Sequence, residues 1–326
     1  MDVWVGSYTS ATGGNGAGIS TFRRARDGGL TLDRTLELAS PSWLTAHPSA
    51  PVVYATNELT DGEITTVSAD LEVLGTISSG GADPCHLTVS ADGRHLLCSN
   101  YSSGSLSVFA LDVDGTITGQ TDLVRHEGSG PHPERQEAAH VHMSVVRDQL
   151  VSVVDLGTDE IRSYELAENG KLDPLSISAM PPGTGPRQLY RRPGSDLAYV
   201  VGEVGGTLVV VRETMPGTFE PVTTVSATKE PWQGDTPNWV AHLEIRDDRL
   251  YLSNRNPDVV TEFDISEETP VALADHASGA WPRHFAIVDG TVYAAAQKGD
   301  AIVAFPVGGG EQVRYPTGTP TCVLVR

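Results

Sequence analysis

A chain of 326 residues with 22 basic against 42 acidic side chains carries a formal net charge of −20, which repels a nucleic-acid backbone or an anionic membrane surface and excludes both as expected partners. Its 34 glycines and 21 prolines beside only six phenylalanines point to many short strands joined by tight turns, so the class reads all-β, and length alone demands no second domain. Cys85, Cys98 and Cys322 are too scattered for a disulfide framework, no CxxC spacing occurs, and neither a leader pattern nor an apolar run long enough to span a membrane is found, so the expected compartment is a reducing cytoplasm.

The N-terminus opens on two strand patterns, Trp4-Val5-Gly6-Ser7-Tyr8 and Gly18-Ile19-Ser20-Thr21-Phe22. From Pro41 onward one unit repeats: an apolar first strand, a turn, a second strand ending in polar residues, and a third strand. The clearest copy runs Pro84 to Val89, turns at Asp92-Gly93, continues from Leu96 to Tyr101 and ends with Ser105 to Phe109. Other copies start near Pro41, His140, Pro186, Pro237 and Pro282, and a seventh start at Pro320 runs off the chain after one strand. Successive starts lie 38 to 56 residues apart, a propeller-blade length, and no WD40-type pairing recurs. The expectation is a single seven-bladed β-propeller domain over residues 1–326, with four-stranded blades and the N- and C-terminal strands paired to remove free sheet edges.

In each repeat the start of the first strand and the end of the second share one mouth. That mouth receives Trp43, His86, His142, Arg187, Gln188, Trp239, Arg283 and His284 from first strands, and Tyr8, Asn57, Glu58, Asn100, Tyr101, Asp155, Glu203, Asn254, Arg255 and Gln297 from second strands. Asn57, Asn100 and Asp155 read best as groups that satisfy turn backbone. Glu203, Arg187, Arg255 and His142 read as functional, because long charged side chains near an axial channel cost free energy unless paired or used. His86 and His284 lean slightly toward a core role, and His86, Asn100, Tyr101 and Glu58 are carried as substrate-contact candidates.

The longest connection, from His126 to His142, breaks the period with glycine, proline and polar residues and reads as a shaped functional loop. Its His140-Val141-His142 pair has a metal-ligand spacing on a strand, yet no cysteine or histidine cluster completes a zinc site. No metal and no cofactor are therefore expected. Arg135, His140 and Arg283 are second-rank binding candidates.

The loop sequence GSGPHPERQEAAHVH (Gly128 to His142) resembles the lactonase family of seven-bladed propellers, which includes propeller-type 6-phosphogluconolactonases and the fungal carboxy-muconate cyclising enzyme. DPCHLTVSADGRHLLCSNY, GTGPRQL around Arg187, the Glu203 strand end, PNWVAHLEI and LYLSNR around Arg255 support it, and the resemblance covers essentially the whole chain. It implies an active site of His142, Arg187, Glu203 and Arg255. Two positions depart from the family pattern: Ala139 stands where proline is usual, which is expected to loosen the loop, and Gly202 where asparagine is usual, which is expected to alter how Glu203 is oriented.

The implied reaction is hydrolysis of an anionic sugar lactone, foremost 6-phospho-D-glucono-1,5-lactone. It requires a deprotonated water, a stabilised oxyanion and a proton for the departing ring oxygen. Glu203 is expected as general base and His142 as general acid, with the reverse assignment open, and Arg187 and Arg255 as the anion clamp. No Gly-x-Ser-x-Gly elbow appears, so no serine nucleophile is expected. Three other readings remain open: a metal-dependent lactonase using Glu58, Glu203, Asn100, Asp155 and Asn254; a muconate-type cyclase or cycloisomerase; and a non-catalytic binding scaffold.

Overall fold

The computed structural model describes residues 1–326. Its strands form seven four-stranded antiparallel sheets, with only two short 3-10 turns, Ser10–Thr12 and Gln297–Gly299. The fold is the expected all-β, seven-bladed β-propeller. In six sheets the strands follow chain order; in the seventh, Pro320–Val325 pairs with Asp2–Ser7 ahead of Gly18–Arg24 and Leu30–Glu37. The two termini thus complete one sheet, as their half-patterns require.

Contacts divide the chain into two compact units, one of Met1–Ser42, Gly206–Leu208 and Val225–Arg326, the other of Trp43–Gly205 and Val209–Thr224. The first has cores around Val3, Phe22, Tyr293 and Ile302, and around Tyr251, Phe285 and Phe305. The second has cores around Val154, Leu189 and Phe219, around Leu106 and Val153, and around Tyr54, Leu96 and Phe109. Within sheets, burial follows strand position. Val52–Asn57 (VVYATN) and Leu197–Gly202 (LAYVVG) are buried at every residue, whereas Val73–Ser78 is almost wholly exposed. A short, continuously apolar run bounded by turns is what a strand covered on both faces requires. Each fully buried Leu, Val or Phe in it contributes about 1.5–3 kcal/mol. Tyrosines in such runs carry their hydroxyls to backbone acceptors: Tyr54 Oη donates to Gly115 O at 2.5 Å, and Tyr293 Oη to Gly28 O at 2.7 Å.

Two local devices at the strand starts position the polar residues. Ser40, Asp83, Gly185, Trp281 and Thr319 all have positive φ, between 35° and 61°, and each immediately precedes the proline that opens a strand. Proline opens a strand without forfeiting a ladder donor. Directly after several of these starts, and after the start at Val141, the pairing slips by one residue. Pro84 faces Asn100 while His86 faces Ser99; Val141 faces Asp155 while Met143 faces Val154; Pro186 faces Gly202 while Gln188 faces Val201; Pro282 faces Ala296 while His284 faces Ala295. The extra residues are Cys85, His142, Arg187 and Arg283. A bulge bends the strand and re-aims the inserted side chain, which is why such irregularities gather beside functional sites.

Candidate active site

In the unit that holds Trp43–Gly205, the bulged residue Arg187 meets both Glu203 and the bulged residue His142. Glu203 follows Leu197–Gly202, and its amide donates to Gly185 O at 2.9 Å. Because Gly202 pairs with Pro186, Arg187 and Glu203 are adjacent by register. Gly185 has to be glycine here: its φ is +59°, and a Cβ would lie 2.3 Å from Val204 Cγ2.

Arg187 Nη1 donates to Glu203 Oε2 at 2.9 Å, and Arg135 Nη2 donates to Glu203 Oε1 at 2.5 Å. Both carboxylate oxygens are therefore held by guanidinium groups. The Glu203 side chain is 2% exposed and that of Arg187 7%, and a buried charge persists only when paired in this way. Burial alone would lower the Arg135 pKa, but Glu203 and Tyr101 raise it, so the guanidinium stays charged. Arg187 Nη1 also donates to His142 Nε2. A guanidinium cannot accept, so Nε2 carries no hydrogen, and the imidazole is the neutral tautomer with its hydrogen on Nδ1. Nδ1 lies 3.9 Å from Cys85 Sγ, while the Cys85 thiol donates to His142 O at 3.3 Å. Tyr101 stacks on His140 at a ring separation of 4.4 Å, meets His142 edge-on at 5.8 Å, and accepts from Arg135 Nη2 at 3.4 Å.

The loop that supplies Arg135 is pinned at both ends by one carboxylate. Asp155 Oδ2 accepts from His126 Nδ1 at 2.8 Å, and Oδ1 accepts from the amides of His140 at 2.8 Å, Gly157 at 3.0 Å and Thr158 at 3.2 Å. His126 Nε2 in turn accepts from Tyr164 Oη at 3.0 Å, and burial pushes that phenol up to about 12, so it stays a donor. Burial alone would raise the Asp155 carboxyl, but the hydrogen bonds it accepts bring it below the ordinary range. Between the ends, the fully buried Gln136 accepts from His132 N and donates to Leu156 O. Ala139 therefore does not leave the loop unanchored, and Glu203 is oriented by two arginines beside Gly202.

Other sequence candidates fall elsewhere. His86 packs on Trp43 at 4.5 Å. The Asn100 amide donates to the backbone Ser79 O and to Ser105 Oγ and Ser107 Oγ, while Asn57 Oδ1 accepts from the Thr65 hydroxyl on the neighbouring strand. Glu58 follows the end of Val52–Asn57. Of the oxygen donors weighed for a divalent cation, Glu203 is bound by guanidinium groups and Asp155 by N–H donors. Asn254 donates to Ala227 O and Thr261 Oγ1 and accepts from Asn238.

The other unit holds the remaining candidates. Arg255 Nε donates to Trp239 O at 2.8 Å, and its guanidinium lies over the Trp281 ring, as does Lys298. Arg283 lies over the Tyr8 ring at 5.0 Å. His284 stacks on His242 at 3.7 Å and accepts from Val323 N. Beside His242, Glu244 pairs with Arg246 at 2.6 Å, yet burial outweighs that partner and pushes its carboxyl from 4.5 up to about 7. A carboxyl with a folded pKa above its unfolded one contributes stability below the unfolded value and loses it as pH rises through the interval. Stability is therefore expected to fall by on the order of 3 kcal/mol between pH 4.5 and 7 through this group. Melting curves of the native protein and Glu244→Gln across that range check this: the variant should gain on the native protein as pH rises, and parallel curves would contradict it.

Sequence reasoning did not single out Asp155 or His126 as loop anchors, nor Cys85 as a neighbour of His142. The one available signal was position, since His126 and His140 bracket the aberrant loop and Asp155 ends the strand that pairs with it.

A family model described as "Lactonase, 7-bladed beta-propeller" matches residues 2–324. The 6-phosphogluconolactonase of Bacillus subtilis (strain 168) is 27% identical over 319 residues, covering 93% of this chain and 90% of the relative. That of Formosa agariphila is 26% identical over 304 residues, covering 87% and 86%. The structure of the periplasmic gluconolactonase of Pseudomonas aeruginosa superposes with a TM-score of 0.91 at 25% identity, covering 99% of this chain and 98% of that one. No helix is long and apolar enough to cross a membrane.

Proposed function

Because the chain belongs to the lactonase family of seven-bladed β-propellers, and is thereby a lactone-opening carboxylic ester hydrolase, we propose that its substrate is 6-phospho-D-glucono-1,5-lactone and that the Glu203 cluster performs the hydrolysis. The observation that carries this reading is the double guanidinium clamp on Glu203 beside the acceptor nitrogen of His142. The phosphate is proposed from the two relatives that bear the 6-phosphogluconolactonase name.

The geometry favours His142 as the base, the reverse of the division expected from sequence. A carboxylate held by two guanidinium groups is a poor proton acceptor, whereas the His142 Nε2 lone pair becomes available once substrate draws Arg187 Nη1 away. Substrate would take the place of the Arg187 contact at Nε2. Water would then attack the carbonyl carbon as His142 accepts its proton, and Arg187 and Arg135 would stabilise the oxyanion through charge-assisted hydrogen bonds. Glu203 keeps the two arginines close together and offsets their charge. For Arg255, the anion-binding role implied by the family stands as a proposal of its own. So do a single domain over residues 1–326 and a cytoplasmic location, the latter supported by three buried cysteines that form no disulfide.

The test is hydrolysis of freshly generated 6-phosphogluconolactone beside unphosphorylated gluconolactone. A kcat/KM at least tenfold higher for the phosphorylated lactone is expected. A preference for the unphosphorylated lactone would overturn the phosphate assignment.

A further inference from the structure

Resting on the lactonase reading above, we propose that Tyr101 is the proton donor to the departing ring oxygen. A sugar-lactone ring opens to an alkoxide, a leaving group far too basic to depart without a proton. Within the cluster, the arginines are held charged and are poor acids, Glu203 is a paired carboxylate, and His142 is committed to the attacking water.

Tyr101 differs from the other tyrosines described above. Tyr54, Tyr293 and Tyr164 all direct their hydroxyl hydrogens to protein acceptors. The Tyr101 hydroxyl accepts from Arg135 Nη2 at 3.4 Å, and its own hydrogen meets no protein acceptor. That same Nη2 donates to Glu203 Oε1, which fixes the phenol beside the reacting cluster. The ring is held flat against His140 and edge-on to His142, and the backbone amide is tied to Asp83 O at 3.0 Å. A half-buried, immobilised donor with an uncommitted hydrogen is the arrangement general-acid catalysis needs. Burial raises the phenol above its ordinary value while Arg135 pulls the other way. The group is thus protonated at neutral pH, and its phenolate has a cationic neighbour.

The step balances. Water oxygen bonds to the carbonyl carbon, its proton passes to His142 Nε2, and the carbonyl pair becomes the oxyanion. On collapse the carbonyl reforms, the bond to the ring oxygen breaks, and that oxygen takes the Tyr101 proton. The phenolate, beside Arg135, recovers a proton from the His142 imidazolium, and the new carboxylic acid releases one to solvent.

The experiment compares native protein with Tyr101→Phe on freshly generated 6-phosphogluconolactone and on its analogue in which sulfur replaces the ring oxygen, so that a thiolate leaves without needing a proton. With the oxygen lactone, kcat should fall about 10²- to 10⁴-fold, the range typical of losing a general acid, with KM little changed. With the thiolactone, the loss should stay below about tenfold. Unchanged melting temperature is expected, since only a hydroxyl is removed. Equal losses on both substrates would overturn the proton-donor role and leave Tyr101 a positioning residue for Arg135; no loss on either would overturn it outright. Native protein inactive on both lactones would instead overturn the lactonase reading, and this inference with it.

Discussion

Glu203→Ala is expected to lower both stability and turnover sharply. The substitution leaves the buried Arg187 and the partly buried Arg135 facing each other without the carboxylate that joins them. Removing one partner of a buried ion pair costs about 3–5 kcal/mol. Misplacing the two oxyanion donors is expected to cost about 10²- to 10³-fold in kcat. Glu203→Gln should be little better, because its amide nitrogen would face a guanidinium donor. Urea unfolding and steady-state kinetics measured on the same preparations check both effects. A variant that keeps native stability while losing turnover would argue that Glu203 is itself the base and not the group that holds the arginines.

The second large effect is expected at a residue with no proposed contact to substrate. Asp155→Ala strands the His126 imidazole and the amides of His140 and Gly157 in an interior where Asp155 and His126 are fully shielded. Orphaned buried donors cost about 1–3 kcal/mol each, so a loss of at least about 3 kcal/mol is expected, together with release of the loop that carries Arg135. Asp155→Asn should be far milder. Its amide oxygen can keep the backbone donors, and its NH2 can donate to His126 Nδ1 if the imidazole moves its hydrogen to Nε2 and donates to Tyr164. Hydrogen exchange over residues 126–140 would report this directly, with strong deprotection in the alanine variant and near-native protection in the asparagine variant. Equal deprotection in both would contradict the tautomer argument.

The blade count was legible in the sequence because the repeats open on similar apolar strands, most of them led by proline, and because Pro320 to Val325 lacks the partner that the N-terminal Trp4 run supplies. The gathering of His142, Arg187 and Glu203 was legible as well, since the repeat sets each of them at the start of a first strand or the end of a second. The bulges were not legible. A single extra residue after a strand start leaves no compositional mark, and it is the bulge that re-aims His142 and Arg187. The division of proton transfers was also hidden, because it depends on which atoms the arginines occupy. Glu203 reads in sequence as an available carboxylate, but in the structure both its oxygens are taken. The Asp155–His126–Tyr164 chain joins residues 29 and 38 positions apart in sequence, and no local pattern announces such a contact.

The most direct test of the central claim is the rate at which native protein and His142→Asn hydrolyse freshly generated 6-phosphogluconolactone, each with and without EDTA. Rapid native turnover that chelator leaves unchanged is expected, with a loss of about 10²- to 10⁴-fold in the variant, the range that removal of a general base produces. A variant as fast as the native protein, or native activity abolished by EDTA, would contradict that claim.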